Sequence, residues 1–524
     1  MRPPGRFRLP GRVQAPGSPA ARGRGWARGA GAVLVGSVLA VLLGGAAVAL
    51  STGAKVVVLA VGGVGLAGWG AWRFLAPSLS RARPWTGPRD GAIVSVVLLW
   101  AIVEANWGGL WRGPGGVRIA DLLLLGLGLY GLVSVRTAPP AVRRVVGVLV
   151  GAFGLVVAGA ALAALEHGVV GADIEGLARM AFAMVLIPAI VVRFVRSERR
   201  LEAVLLATVV SVAAASVVAL VVQVTELWIL PFDDDFSGTR SYGLSNHPAL
   251  FGIATASALP LAVGLGVTAR GSTRLVATLC TPLLVMGAVL SASRAPLAAG
   301  ALGVILMLIF LLSGRRRAQI ASVAVIVAMA GVAGALFPER LARLSDAAAG
   351  RSASARVELV TTAVGDIAAS PLVGDGARAI KGAGGLNPKD TYVAGSTAAL
   401  RVGGGTGSDD AASHNVVLQT WRAIGLPGLI GVAVVILVGV FSGVHAIRTF
   451  VYRARPLVVA MLASTGVLVG CLVFFDALFE RQLWLAVGLL LASGVAAPAW
   501  AAGGMGKAPA DTRADGLRTD PAGP

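Results

Sequence analysis

Apolar runs separated by short polar stretches fill most of this chain. They fall at about 32–50, 56–74, 91–105, 119–135, 145–165, 177–195, 201–223, 248–268, 275–292, 295–313, 319–337, 428–447, 457–475 and 483–500. Most are near the roughly 17–22 residues that a helix needs to cross a bilayer, and the pattern predicts about 12–14 spans. The shortest runs are 91–105 and 119–135. One polar interval interrupts the series, from Pro338 to Gly425. Within it, Arg356 to Ala369 places Val357, Leu359, Val360, Val364 and Ile367 at amphipathic spacing, which predicts a surface helix ending at Ser370-Pro371. Gly374-Asp375-Gly376 reads as a turn, and Lys381 to Ala412 as a flexible flap of Gly, Thr, Ser and Asp. Ser413 then offers an N-cap for a short helix bearing His414, Leu418, Trp421 and Arg422, which Gly425-Leu426-Pro427 closes as the next span begins. The expected fold is an all-α integral membrane protein with one long extracytoplasmic loop containing short helices.

Composition agrees, with 56% hydrophobic and 13% charged residues. The net charge of +20 would point a soluble chain toward nucleic acid. Here the distribution of the charge gives it another meaning. With the N-terminus inside, loops 73–90, 136–144, 193–200, 269–274, 314–318 and 448–456 are cytoplasmic, and each carries Arg. The intervening loops hold Glu166, Asp173, Glu175, Glu226, Asp233-Asp234-Asp235 and Asp476. Arginine on cytoplasmic loops orients membrane helices, so the alternation accounts for the charge, puts 338–425 outside, and removes the case for a nucleic-acid partner. The expected organisation is a basic, disordered cytoplasmic tail over 1–30, a membrane domain over 31–501, and a second cytoplasmic tail over 502–524. The first apolar run lacks a convincing cleavage site after it and reads as a span. Cys280 and Cys471 lie inside apolar runs, which predicts two free thiols and no disulfide framework.

An extracytoplasmic site has no ATP, so its substrate must arrive already activated. A glycan on a polyprenyl diphosphate meets that need, with its lipid in the bilayer and its diphosphate at the surface. Chemistry on it needs fixed cations for the departing diphosphate and a base for the attacking hydroxyl. Arginine suits the first role because it stays charged and grips phosphate in a fork. Three outer positions fit: Arg240 in Gly238-Thr239-Arg240-Ser241-Tyr242-Gly243, Arg294 in Ser291-Ala292-Ser293-Arg294-Ala295-Pro296, and His414. A helix start disfavours imidazolium, which would keep His414 neutral and able to act as a base. Arg356 and Arg422 are further candidates for guiding the anionic donor.

These residues resemble the O-antigen ligase and polymerase superfamily of bacterial membrane glycosyltransferases. The resemblance runs from Ile119-Ala120-Asp121-Leu122 through Arg240-Ser241-Tyr242-Gly243-Leu244-Ser245-Asn246-His247-Pro248 and Ser291-Ala292-Ser293-Arg294. It continues through Arg356 and Pro371-Leu372-Val373-Gly374-Asp375-Gly376 to His414-Asn415-Val416-Val417-Leu418 and Gly425-Leu426-Pro427-Gly428. It implies a C-type glycosyltransferase fold with its core over about 119–445, and transfer of a glycan from undecaprenyl diphosphate to an acceptor without metal or other cofactor. The acceptor would be a glycan or lipid-linked, and membrane lipids would surround the site. By the same resemblance His414 matches the catalytic loop histidine, and Arg240 and Arg294 match the family's arginines. Asn246-His247-Pro248 departs from the usual Asn-Pro-Asn-like turn, and roughly two extra spans precede the core. A ligase and a polymerase would share these residues.

Rival readings attach to specific features. Asp233-Asp234-Asp235, with Asp409-Asp410, has the chemistry for a divalent metal, as in other C-type glycosyltransferases. Arg294 could snorkel to the interface, and Arg240 could pair with the nearby aspartates. His247 reads as a turn residue, and His167 and His445 carry no assigned role. A lipid-linked sugar flippase would also use many spans, but it calls for polar groups at mid-membrane and an internal repeat, neither of which is evident.

Overall fold

A computed structural model describes residue 95 and residues 97–103, 122–128, 138–167, 171–225, 241–245, 248–311, 360–374, 415–449, 455–472 and 480–505. All of them belong to one compact unit, residues 67–524. The expected tail over 1–30 and the spans at 32–50, 56–74 and 319–337 lie outside the described residues. Regular structure among the described residues is helical throughout. After two short pieces at 97–103 and 122–128 come α1 (Pro140–His167), α2 (Gly171–Met180), α3 (Ile187–Phe194), α4 (Glu198–Thr225), α5 (Pro248–Thr268), α6 (Ser272–Leu290) and α7 (Arg294–Leu311). The loop helix α8 (Val360–Ala369) and then α9 (Val416–Thr449), α10 (Arg455–Leu472) and α11 (Arg481–Met505) complete the order. Among the described residues seven helical segments are long and apolar enough to cross a membrane. The chain is a multi-pass membrane protein.

A membrane bundle cannot sort its faces by polarity, and the burial pattern shows the alternative. Large apolar side chains face outward on α1 at Val150, Leu162 and Leu165, and on α7 at Leu302, Ile309 and Phe310, where lipid rather than water would meet them. Burial then depends on packing. The α5 span is 78% buried and the α1 span 28%, which puts α5 at the centre and α1 at the periphery. Helices meet through small residues: a Cβ on Gly300 of α7 would come within 2.9 Å of Ala256 of α5. One on Gly439 of α9 would come within 2.9 Å of Val487 of α11. Such close approach gains van der Waals contact where no hydrophobic drive exists between helices. Hydroxyls inside the spans are satisfied locally, as Ser216 Oγ donates to Val212 O at 3.0 Å and Thr465 Oγ1 to Met461 O at 2.8 Å.

The run expected at 177–195 is continuous but not uniform. Ala181–Leu186 forms a π-helical turn between α2 and α3, ending two residues before Pro188. Proline lacks an N–H and crowds the carbonyl four residues back, so a widened turn there relieves the conflict without ending the helix. The α3–α4 and α5–α6 connections, 195–197 and 269–271, take the chain back at one end of the bundle, and 291–293 does so at the other. Arg294, one of the sequence-predicted site residues, lies at this second end.

Candidate functional site

The site end is built around the elbow between α6 and α7. Ser291 Oγ donates to Ala288 O at 2.7 Å, while Ser293 N–H donates to Ser291 Oγ at 3.3 Å and Ser293 Oγ to Ser291 O at 3.2 Å. Ala292 takes a positive φ of 47°, an uncommon setting for a residue with a Cβ. Two serine hydroxyls thus hold a reversal of only three residues, and Arg294 emerges from it, exposed, as the first residue of α7. Gly252 of α5 lies against the elbow, where a Cβ would come within 2.7 Å of Ser291 Oγ.

The segment after Arg240 is fastened to this elbow. Ser241 N–H donates to Leu290 O at 3.0 Å, and Tyr242 to Ser245 closes a turn through Ser245 N–H to Tyr242 O at 2.9 Å. Gly243 in that turn has φ of 57°, and a Cβ there would meet the Phe251 ring at 2.6 Å. Arg240 itself, with Asn246 and His247, lies outside the described residues, but the residue that follows it in sequence is bonded four positions before Arg294.

The second half of the site end joins α8 to the start of α9. Helix α9 begins at Val416, and its N-cap is Asn415: Asn415 Oδ1 accepts from Val417 N–H at 2.9 Å and from Leu418 N–H at 3.2 Å. This corrects the expectation that Ser413 is the cap and that His414 opens the helix. Ser-His-Asn offers two good caps, and spacing alone does not choose between them. His414 therefore precedes the N-cap. Its own placement, like that of Arg356, lies outside the described residues.

The expected break after Arg422 is present. Ile424 and Gly425 leave helical geometry, with Gly425 at φ 65° and ψ −176°, and the chain resumes as a span from Leu426. Close approaches require glycine here. A Cβ on Gly425 would collide with Leu372 O, and one on Gly374 would collide with the Ala423 carbonyl. Trp421 Nε1 donates to Pro371 O at 2.7 Å, and Arg422 Nε stands 3.0 Å from Asp366 Oδ2. The Arg422 side chain is only 9% exposed, and Asp366 Oδ2 is buried without an aligned hydrogen bond, so the contact is an ion pair. Asp366 and the Trp421–Pro371 contact are not legible in the sequence, because the partners lie fifty or more positions apart and neither makes a local motif. The apolar residues of α8 divide between two faces. Ala363 and Ile367 are buried, whereas Val360 and Val364 are exposed beside the exposed Leu372. Alanine is small enough to let the loop helix seat closely, which hydrophobicity alone does not rank.

Replacing Gly425 with alanine is expected to destabilise the protein by roughly 2–4 kcal/mol, since it adds both a positive-φ penalty and a clash with Leu372. Thermal unfolding of the purified chain reads this directly. An unchanged midpoint would show that the 372–374 segment is not held as described.

The structure therefore forms two tied groups at one end: the elbow of Arg294 with Ser241, and the α8–α9 junction of Asp366, Trp421 and Arg422. Among the described residues no three His, Cys, Asp or Glu side chains group as a metal site. Asp233-Asp234-Asp235 and Asp409-Asp410 lie outside them.

The geometry is that of a multi-pass helical membrane protein with an arginine-bearing end. Residues 279–433 match the O-antigen ligase family model. The match starts within α6 and takes in the elbow, α7, the long loop and the kinked start of α9, and it supports the O-antigen ligase superfamily. Arg294, Arg356, His414 and Arg422 fall within it, and Arg240 precedes it. No curated protein matches the chain. Together the family match and the membrane helices support a membrane glycosyltransferase-like role in polysaccharide biosynthesis.

Proposed function

We propose that this protein transfers a glycan from a polyprenyl diphosphate to a hydroxyl of an acceptor at the outer face of the cytoplasmic membrane. The observation that carries the reading is the 3.0 Å bond from Ser241 N–H to Leu290 O. It ties the segment following Arg240 to the elbow bearing Arg294, which supports assigning both arginines to one diphosphate. In the transfer, the acceptor oxygen bonds to the anomeric carbon of the glycan. The bond from that carbon to the diphosphate oxygen breaks, and the polyprenyl diphosphate leaves with the electron pair. His414 takes the hydroxyl proton, and Arg240 and Arg294 stabilise the charge left on the diphosphate.

Arg356 is a further candidate for guiding the donor. Arg422 acts through Asp366, holding the loop helix against the start of α9. The acceptor is a glycan or lipid-linked, and a polymerase would extend a glycan of the same kind with the same residues. Both termini are cytoplasmic on the arginine distribution. Transfer by the purified chain from a polyprenyl-diphosphate glycan, with and without chelator, tests the reading. Transfer that survives chelation is the expected result. Loss on chelation would move the chemistry to the aspartates, and movement of lipid-linked sugar across vesicles with no new glycosidic bond would replace transfer with flipping.

A further inference from the structure

Helix α9 has two parts that its own backbone does not hold in line. Ile424 takes φ −122° and ψ 17°, and Gly425 takes φ 65° and ψ −176°. Residues 416–423 therefore form a short rod, joined to the span from Leu426 through two non-helical residues. A joint of this kind lets the rod swing unless contacts from outside fix its direction.

Three described contacts do so, and all come from 366–374. Arg422 Nε lies 3.0 Å from Asp366 Oδ2, and Trp421 Nε1 donates to Pro371 O at 2.7 Å. The Gly374 backbone lies so close to the Ala423 carbonyl that a Cβ would not fit. Packing at the buried Val416 and Ala423 adds stability, but apolar contact has no direction of its own. Of the three contacts only the ion pair joins two side chains. They are 9% and 38% exposed, so the charges are less screened than at an open surface. Arg422 makes further contacts besides, so loss of Asp366 removes one pull on the rod without stranding the cation.

The far end of the rod is the end that matters for chemistry. Asn415 caps it through Val417 N–H and Leu418 N–H, and His414 is the residue before that cap. At about 1.5 Å of rise per residue, a swing of about 10° at Gly425 displaces the cap by roughly 2–3 Å. A general base works only within hydrogen-bond reach of its proton, and a misplacement of about 1 Å can cost about a hundredfold in rate.

We propose that Asp366 is a positioning residue for glycan transfer. Through Arg422 it fixes the first turns of α9 about the Gly425 joint, and so fixes the base that precedes their cap. This rests on the assignment of His414 as that base.

The full-length protein with Asp366→Asn, which keeps the shape and removes the charge, tests the role. Hydrogen exchange of the 416–423 amides is expected to quicken about tenfold, with the thermal midpoint nearly unchanged. Single-turnover transfer at saturating donor is expected to fall about tenfold to a hundredfold. Donor half-saturation should stay as in the parent, because the diphosphate is assigned to Arg240 and Arg294. Arg422→Lys, which keeps the charge, should retain more of the rate than Arg422→Gln. Added to His414→Ala, Asp366→Asn should cost nothing further, since its effect passes through the base.

Parent exchange or a parent rate in Asp366→Asn would overturn the proposal, and so would an equal loss on top of His414→Ala. A lowered midpoint with exchange quickened throughout the chain would also overturn it, making Asp366 a plain stabilising residue. A parent rate in His414→Ala alone would instead remove the base, and with it what Asp366 positions. Exchange over 416–423 would then still read whether Asp366 fixes the rod, which keeps the two failures apart.

Discussion

Replacing His414 with alanine is expected to lower glycan transfer by about two to four orders of magnitude, the range associated with removing a general base. Assembly of the bundle should survive, because the packing described at this end is supplied by other residues. Asn415 caps α9, Trp421 bonds Pro371, and Arg422 pairs with Asp366. Donor binding should survive too, since the diphosphate is assigned to arginines. The decisive comparison is single-turnover transfer by parent and variant at saturating donor. A variant that retains the parent rate would remove His414 from the chemistry, and the base would have to be sought elsewhere in the long loop.

The second large effect concerns Arg294. Its replacement by alanine is expected to cost about two to three orders of magnitude in transfer, in line with loss of a preorganised group that stabilises developing charge. The side chain is exposed at the first position of α7, and the elbow below it is held by the Ser291 and Ser293 hydroxyls. Loss of activity would therefore not be a consequence of unfolding. Lysine in its place should restore only part of the rate, because an ammonium keeps the charge but not the two-pronged geometry. Full activity in Arg294→Ala with unchanged donor binding would return this arginine to a plain interfacial role.

The two groups at the site end differ in how they could be recognised. The elbow is local: Ser-Ala-Ser-Arg at the end of an apolar run already implies a sharp reversal with a cation at its exit. Gly425 before Leu426-Pro427 likewise announces a break, and the structure has it at Ile424 and Gly425. The α8–α9 junction is different, because Asp366 meets Arg422 and Pro371 meets Trp421 only after the long loop has returned. No periodicity within either segment encodes that meeting. Arg422 consequently looks like a free cation in sequence and is an ion-paired one in the fold.

The sequence by itself determines the membrane class and most of the boundaries of the described spans, and it puts the candidate residues at one end of the bundle. Length and apolarity dictate which segments can cross a bilayer, and span order then dictates which connections share an end. Tertiary structure decides what lies against what. It picks Asn415 over Ser413 as the cap, turns Ala363 and Ile367 inward while leaving Val360 and Val364 exposed, and widens the helix before Pro188 into a π turn. These outcomes depend on hydrogen-bond reach and close packing between segments distant in the chain, and a one-dimensional pattern of polarity holds neither. The same holds for the α3–α4 turn. In sequence its arginines are one more basic loop, and only the burial of Arg193 beside Phe194 sets that residue apart from the solvated arginines at the same end.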